Sequence, residues 1–300
     1  MKSKAVTLTL SLLVMLLWGS LYAMVKVGYR TFGMDGSVIP DILMFAGMRF
    51  TVCGILACLF CVVRKEKMKA PKGKTIGMIV FMGFFSILLH YAFTYVGLAF
   101  TDGSKTAIMK QIGFLLYICF AFLFFKDERF SIWKIVGAVV GFGGLIAINI
   151  TTEGVVFTFG DILLIAASVC SLVSNIISKK SLDGVSPFWT TGISQLFGGI
   201  VLLVVSVMMG GQPLRFNLPA LFVFTYICVA SLGSYTLWYY LLGTGSLSNL
   251  FIVKFAEPLF ACIFGAVLLG ENIFKWQYLI AFVLICLGIM LGQKGEEQRQ

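Results

Sequence analysis

Charged residues inside hydrophobic stretches are the positions of this sequence that could do chemistry. Lys254 and Glu257 are three residues apart, so they share one face of a helix. The next residue, Pro258, lacks a backbone N–H and clashes with the carbonyl of residue 254, which predicts a local helix break and a candidate gating point. Two interpretations stay open: the pair neutralises itself and only tolerates burial, or it lines the path of a substrate.

Two further lysines precede an apolar run. Lys105 and Lys110 are five residues apart and therefore point about 140° from each other around one helix, so both cannot face the same cavity. We predict Lys105, close to Asp102, at the membrane interface, and Lys110 in a cavity. If Lys110 and Lys254 both reach the middle of the membrane with only Glu257 to offset them, the site carries net positive charge. That charge favours a substrate with a carboxylate or phosphate, or a zwitterion.

His90 is the only histidine of the chain and is followed by Tyr91. A lone histidine makes neither a zinc site nor a serine-protease triad. Because the reference pKa of imidazole is about 6.5, His90 is a candidate proton relay. A hydrogen-bonded packing role is the open alternative.

Polar and aromatic residues complete the candidate site. On one predicted helix, polar residues recur at spacings of three, four and three, which places them on one face that either joins helices or hydrates a cavity: Ser168, Ser171, Asn175 and Ser178. Aromatic residues deep in other runs could form the walls of a small-molecule pocket. The candidate substrate-binding residues are Trp18, Tyr22, His90, Tyr91, Lys110, Asn175, Trp238, Lys254 and Glu257. No catalytic residue, metal site or cofactor is predicted.

Composition identifies the medium in which these residues lie. The 300 residues are 59% hydrophobic and 12% charged, with a mean hydropathy of +0.99, which does not fit soluble domains. Lipid must therefore solvate most of the surface, and an all-α membrane protein follows. Ten apolar runs have the length of a bilayer span: 5–28, 42–63, 75–99, 103–125, 132–150, 160–178, 187–209, 218–241, 247–269 and 274–292.

The basic residues predict the orientation of these spans. With the N-terminus inside, 15 of the 23 basic residues fall on the cytoplasmic side: Lys2, Lys4, Arg64, Lys65, Lys67, Lys69, Lys72, Lys74, Lys126, Arg129, Lys134, Lys179, Lys180, Lys294 and Arg299. Only Lys26, Arg30, Arg215 and Lys275 fall on the outer side. This asymmetry follows the positive-inside rule and predicts both termini in the cytoplasm. The net charge of +10 thus marks topology, and nucleic acid is not an expected partner.

The chain also repeats itself. The segment from Glu128 to Trp133 matches the segment from Glu271 to Trp276 at an offset of 143 residues. Each half, 1–150 and 151–300, then holds five predicted helices, and an odd number inserts the second half upside down relative to the first. Inverted repeats of this kind build alternating-access transporters with a substrate site near the midplane.

At several of these positions the chain resembles a known family. The matching elements are Trp18-Gly-Ser20, the Arg49-Phe pair, and the ending shared by both halves, with Gly270-Glu271 in the second. They resemble the drug/metabolite transporter superfamily, specifically its EamA-type ten-helix members. In the first half, Phe114-Leu115 stands where the second half has Glu257-Pro258, which departs from the pattern.

The resemblance implies a secondary transporter that exports a small polar metabolite, such as an amino acid or a related compound, across the cytoplasmic membrane. It also implies a structural role for Arg49. The alternative within the superfamily is a sugar-phosphate or nucleotide-sugar exchanger. A channel and an intramembrane enzyme are disfavoured, because neither a charged ring nor a catalytic constellation is present. The expected partners are a small-molecule substrate, membrane lipid and, as a candidate coupling ion, protons; monomer and homodimer stay open.

Overall fold

The computed structural model describes residues 4–64, 70–113, 116, 131–148, 150–151, 154–155, 157–181, 185–244, 253–254, 256–272 and 275–297. These residues are largely helical. The exception is a short antiparallel ladder, in which β1 (Ile150–Thr151) pairs with β2 (Gly154–Val155). This ladder departs from the purely helical prediction, but it is confined to the connection between two helices.

The helices follow one another along the chain with short connections. They are α1 (Lys4–Thr31), α2 (Ile39–Val63), α3 (Gly73–Gly83, a π-helical segment Phe84–Leu89 and His90–Ala99), α4 (Gly103–Met109), α5 (Ile132–Ile148), α6 (Phe159–Ser181), α7 (Pro187–Met208), α8 (Leu218–Thr244), α9 (Ala256–Leu269) and α10 (Trp276–Glu297). The π-helical segment ends immediately before His90 and contains Ser86. Wide turns of this kind interrupt α-helices mostly at functional sites.

Six of the ten predicted spans are confirmed as helices long and apolar enough to cross a membrane. They lie at Val6–Thr31, Ile39–Val63, Gly73–Ala99, Phe159–Ser178, Pro187–Met208 and Leu218–Gly243. The other four predicted spans coincide with α4, α5, α9 and α10, whose described apolar stretches are shorter. Residues 117–130 and 245–252, which belong to two of those spans, lie outside the described residues.

Glycines let two pairs of helices approach closely. The most extensive contacts join α2 to α7 and α5 to α10. A Cβ added to Gly199 of α7 would lie 2.4 Å from the backbone N of Thr51, and one added to Gly54 of α2 would lie 2.4 Å from the backbone N of Leu196. Because the obstacle is backbone in both cases, only glycine fits. Gly288 of α10 likewise packs on the backbone of α5.

The remaining contacts place a cavity in the middle of the molecule. Helix α1 packs on α8 and α9, and α3 packs on α6. Outside the cavity, aromatic and aliphatic side chains fill the space between α1, α2, α3 and α8 and form the larger apolar core, with Phe45, Phe50 and Ile227 at 0% exposure.

Candidate functional site

A cavity with about 1080 Å³ of empty space opens between α1, α3, α6, α8 and the start of α9. All nine residues predicted from the sequence line it, together with residues that were not predicted. The structure thus brings together residues from positions 18 to 257 of the chain. Their assignment to substrate binding stays a prediction.

Tyr22 and Glu257 connect two helices across the cavity wall. The Tyr22 hydroxyl of α1 donates a hydrogen bond of 2.7 Å to Oε1 of Glu257 in α9. The two helices come close at Gly19, where an added Cβ would lie 2.9 Å from the Glu257 carbonyl oxygen. Glycine at this position therefore allows the tyrosine, one turn further along α1, to reach the buried carboxylate.

Lys254 lies against two indole rings. Its Nζ is 4.8 Å from the ring centroid of Trp18 and 4.5 Å from that of Trp238, and the two rings are themselves 5.2 Å apart. Both distances are within the range of cation–π attraction. Helix α1 and helix α8 thus hold this buried ammonium group at one wall of the cavity.

His90 and Lys110 form a second pair. The Nδ1 of His90 lies 2.7 Å from the carbonyl oxygen of Ala167 on α6, and Nε2 lies 3.1 Å from Nζ of Lys110. A carbonyl can only accept, so Nδ1 carries a proton, and Nε2 is then free to accept from the lysine. The lysine also lies 5.3 Å from the Tyr22 ring centroid. Histidine thus links α3, α6 and the end of α4.

Polar residues of α6 and hydroxyls of α3 and α8 form the rest of the lining. Three members of the predicted stripe face the cavity: Ser168, Ser171 and Asn175. The Trp238 Nε1 lies 3.4 Å from Oδ1 of Asn175, a long hydrogen bond. The hydroxyl of Tyr235 donates to that of Tyr91 over 2.8 Å. These groups give the cavity neutral donors and acceptors beside its charges.

Arg49 is the main lining residue that the sequence did not place in the site. It is 1% exposed and lines the cavity from α2. Its Nε donates to the hydroxyl of Ser231 over 2.7 Å, and its Nη1 donates to the hydroxyl of Tyr95. The signal in the sequence was an arginine inside an apolar run, but its partners lie 46 and 182 residues away. Spacing along the chain could not reveal them.

The charges that line the cavity do not balance. Among the described residues, Arg49, Lys110 and Lys254 contribute three cationic side chains, and Glu257 contributes the one carboxylate. Uncompensated charge is costly at this depth. The cavity is therefore electrostatically suited to a ligand with negative charge.

One end of the cavity is covered by a polar network, named here the end network. Nζ of Lys26 lies 3.7 Å from Oε1 of Glu271, and the same oxygen accepts from the backbone N of Gly103 over 2.9 Å. Oδ2 of Asp102 accepts from the Tyr278 hydroxyl over 2.8 Å and lies 3.3 Å from Nζ of Lys275. The network joins α1 and the start of α4 to the connection between α9 and α10.

The surroundings of Asp102 shift its acidity. Burial raises the pKa of this carboxyl, but the hydroxyl of Tyr278 and the ammonium group of Lys275 outweigh burial and hold the pKa below its usual value. The ionised form is therefore the one that the folded protein stabilises.

Lys105 and Lys110 occupy different surroundings. Lys110 lines the cavity, whereas Nζ of Lys105 lies 2.9 Å from Oδ1 of Asp161 at the start of α6. Asp161 is 0% exposed and also accepts from the backbone N and the hydroxyl of Thr158. Sequence analysis missed this carboxylate as a partner, because it lies where a predicted span begins and resembles a helix-start residue.

Pro258 lies in the first turn of α9. Val253 and Lys254 are helical, residue 255 lies outside the described residues, and α9 begins at Ala256. Proline is well tolerated in a first turn, where its missing N–H has no partner to lose. The predicted gating break at Pro258 stays a prediction.

Comparison with known proteins adds to this geometry. The sequence model described as "EamA-like transporter family" matches residues 5–150 and 158–292. Over 262 residues the chain is 22% identical to "Uncharacterized transporter YvbV" of Bacillus subtilis (strain 168), covering 86% of this chain and 84% of that protein. It is 25% identical over 305 residues to the "Probable amino-acid metabolite efflux pump" of Escherichia coli (strain K12), covering 97% and 96%.

Two further similarities agree in extent. The chain is 25% identical over 290 residues to "Uncharacterized inner membrane transporter YedA" of Escherichia coli (strain K12), covering 91% of this chain and 88% of that protein. One solved crystal structure superimposes with a TM-score of 0.68 at 16% identity, over 99% of this chain and 100% of that chain. The superposition shows that the overall fold is one already seen in a solved protein.

Proposed function

The chain belongs to the EamA-like transporter family, as the resemblance predicted, and from this membership we propose that it exports a small polar metabolite across the cytoplasmic membrane by alternating access. The metabolite is an amino acid or a related compound. Membership makes the protein a multi-pass membrane transporter; the substrate class, the direction and the mechanism belong to the proposal. The relative named as an amino-acid metabolite efflux pump, similar over nearly the whole of both chains, supports this substrate class.

The unbalanced charge of the cavity is the observation that carries the proposal. Lys110 and Lys254 attract the anionic end of the substrate, and Trp18, Tyr22 and Trp238 hold its body. The empty space is of the size that small-molecule sites have, about 300–1,000 Å³. A zwitterionic amino acid brings a carboxylate to the cations and an ammonium group to the carboxylate of Glu257.

Two inverted five-helix repeats, 1–150 and 151–300, provide the mechanism that we propose. Support comes from the pairing of the helices: α1 packs on α8, and α6 packs on α3, which are equivalent pairs if the second half repeats the first. The pairs α2–α7 and α5–α10 each join a helix to its own equivalent. The family model also matches the chain twice. The substrate then binds where the halves meet.

The end network is the gate that we assign to the outer side of the membrane. It connects the first half, through Lys26, Asp102 and Gly103, to the second half, through Glu271, Lys275 and Tyr278. Rocking of one half against the other must break these contacts. The placement on the outer side rests on the positive-inside orientation, with both termini in the cytoplasm.

Ligand-dependent stability tests the proposal. A ligand that binds only the folded state at about 100 times its Kd stabilises it by about 2.7 kcal/mol. We expect amino acids to raise the unfolding temperature of the detergent-purified protein, and the effect to weaken in Lys110→Met and Lys254→Met. Lys72→Met is the matched control, because Lys72 is exposed before α3. Unchanged affinity in both cavity variants contradicts this use of the lysines.

A second candidate function is supported by the same excess of positive charge. An exchanger of sugar phosphates or nucleotide sugars uses cations to bind phosphate. Stabilisation by phosphorylated compounds and not by amino acids, followed by exchange of those compounds in liposomes, supports this function and excludes the first. Export of a stabilising amino acid from loaded liposomes supports the first.

A further inference from the structure

We propose that Arg49 and Lys110 form one subsite for the anionic oxygen group of the substrate, a carboxylate or a phosphate, and that Arg49 determines specificity for this group. This inference rests on the proposed transport function. It changes the role of Arg49 from the structural one that the family resemblance implied.

The guanidinium group of Arg49 is fixed in place. Its Nε donates to Ser231, whose own hydroxyl hydrogen is directed to the carbonyl of Ile227, so the serine oxygen can only accept here. Its Nη1 donates to Tyr95. The guanidinium carbon also lies 4.7 Å from the Phe50 ring centroid. Helices α3 and α8 therefore orient the guanidinium before any ligand arrives, which lowers the entropy lost on binding.

The same group lacks a counter-ion. In the described part of the chain no carboxylate lies within ion-pair distance of Arg49, and its Nη2 is buried without a hydrogen-bond partner. A buried cation is costly unless it is paired and hydrogen-bonded. Since Arg49 lines the cavity, an anion that binds there can supply both missing contacts. Guanidinium is also the side chain best suited to planar oxygen groups.

Lys110 lies near the same aromatic ring. The ring centroid of Tyr91 is 5.5 Å from the guanidinium carbon of Arg49 and 5.8 Å from Nζ of Lys110. The hydroxyl of Tyr91 accepts from Tyr235, which leaves its own hydrogen as a further donor. An oxygen group beside this ring thus meets two cations and one hydroxyl.

The remaining charges belong to another part of the cavity. Lys254 lies on the rings of Trp18 and Trp238, and Glu257 accepts from Tyr22. This separation gives the substrate an orientation: its anionic group at Arg49 and Lys110, and its apolar body towards the two indoles.

Three probes with the same phenyl ring test the proposal by their end groups. They are L-phenylalanine, L-phenylalaninamide, which lacks the carboxylate, and phenyl phosphate. Unfolding temperatures are measured against probe concentration in detergent for the full-length chain and for Arg49→Gln, Arg49→Lys and Arg30→Gln. Arg30 is an exposed arginine in the last turn of α1 and serves as the control.

We expect phenylalanine or phenyl phosphate to stabilise the wild type, and the amide to bind at least about tenfold more weakly than the acid. Arg49→Gln loses this discrimination, Arg49→Lys keeps part of it, and Arg30→Gln behaves like the wild type. The anion that binds more tightly identifies the group. Equal binding of acid and amide by the wild type overturns the proposal without any variant, as does full discrimination in Arg49→Gln or failure of both anions to bind.

Transport separates the two levels of the proposal. If liposomes containing the protein move phenylalanine and its amide equally well, the transporter function stands and the role of Arg49 is wrong. If they move no member of a panel of amino acids, amides and phosphates, the proposed function fails together with the subsite.

Discussion

Tyr22 donates a 2.7 Å hydrogen bond to Glu257, a residue 235 positions further along the chain. The bond joins α1, in the first matched segment of the family, to α9, in the second. Both residues line the cavity, so a substrate that enters can reach the bond directly. A single side-chain contact thus links the two halves at the place where the ligand is expected.

Removing this hydroxyl tests the strength of the link. We expect Tyr22→Phe to lower the free energy of unfolding by about 1.5–3 kcal/mol, because the acceptor is a buried carboxylate that loses its donor. Unfolding in detergent measures this loss. In the control Tyr226→Phe, the lost partner is the neutral hydroxyl of Ser20, at 2.7 Å, and the expected cost is about 0.5–1.5 kcal/mol. A larger loss in Tyr226→Phe contradicts the assignment of the stronger bond to Glu257.

Packing of α2 on α7 depends on glycine. Gly199→Ala places a Cβ 2.4 Å from the backbone N of Thr51, and the two helices must separate, at an expected cost of about 1–3 kcal/mol. The matched control is Gly77→Ala in α3, where nothing lies within 4 Å of the added Cβ. Alanine favours helix over glycine, so the control keeps or raises stability. Equal unfolding temperatures of both variants disagree with the close approach of α2 and α7.

The extent of what sequence could predict follows from these contacts. Apolar run length depends only on neighbouring residues, and it located the helices from α1 to α3 and from α6 to α8 within a few residues. A lysine inside such a run is a strong signal, since burial must be compensated, and Lys110 and Lys254 were found in this way. Partners at long range leave no such signal. The pairs Arg49–Ser231 and Lys105–Asp161 depend on how helices pack, which periodicity does not specify.

Proton coupling through His90 predicts a dependence of transport on pH. His90 contacts Lys110 and the carbonyl of Ala167, and the other charged groups lining the cavity are Arg49, Lys254 and Glu257. We expect His90→Gln, which retains hydrogen-bonding capacity, to flatten the pH profile of transport in liposomes between about pH 5 and 8. An identical profile in wild type and variant assigns the pH response to another group and leaves His90 a packing role.

Asp102 predicts how acid affects stability. Its pKa is lower in the folded protein than in the unfolded chain, so its contribution is complete above the unfolded value of about 3.9 and is lost as pH falls below it. We expect wild type to be more stable than Asp102→Asn at pH 6 and the difference to shrink towards about pH 3. Unfolding temperatures across this range measure it. A difference that stays constant with pH shows that the carboxylate contributes only hydrogen-bond geometry.

Glu271 provides the test of the end network as an outer gate. Glu271→Gln removes the charge that holds Lys26 and weakens the contact with Gly103, so the gate should open more often. In a chain without its eight cysteines, Asn175→Cys reports on the cavity, and we expect an impermeant thiol reagent added outside to label it severalfold faster when Glu271 is changed. Asp35→Asn is the control, because Asp35 contacts only Ser37 in the exposed connection between α1 and α2. Equal labelling in both variants means that the network stabilises a loop rather than closing the cavity, and faster labelling from the inner side only means that the orientation is reversed.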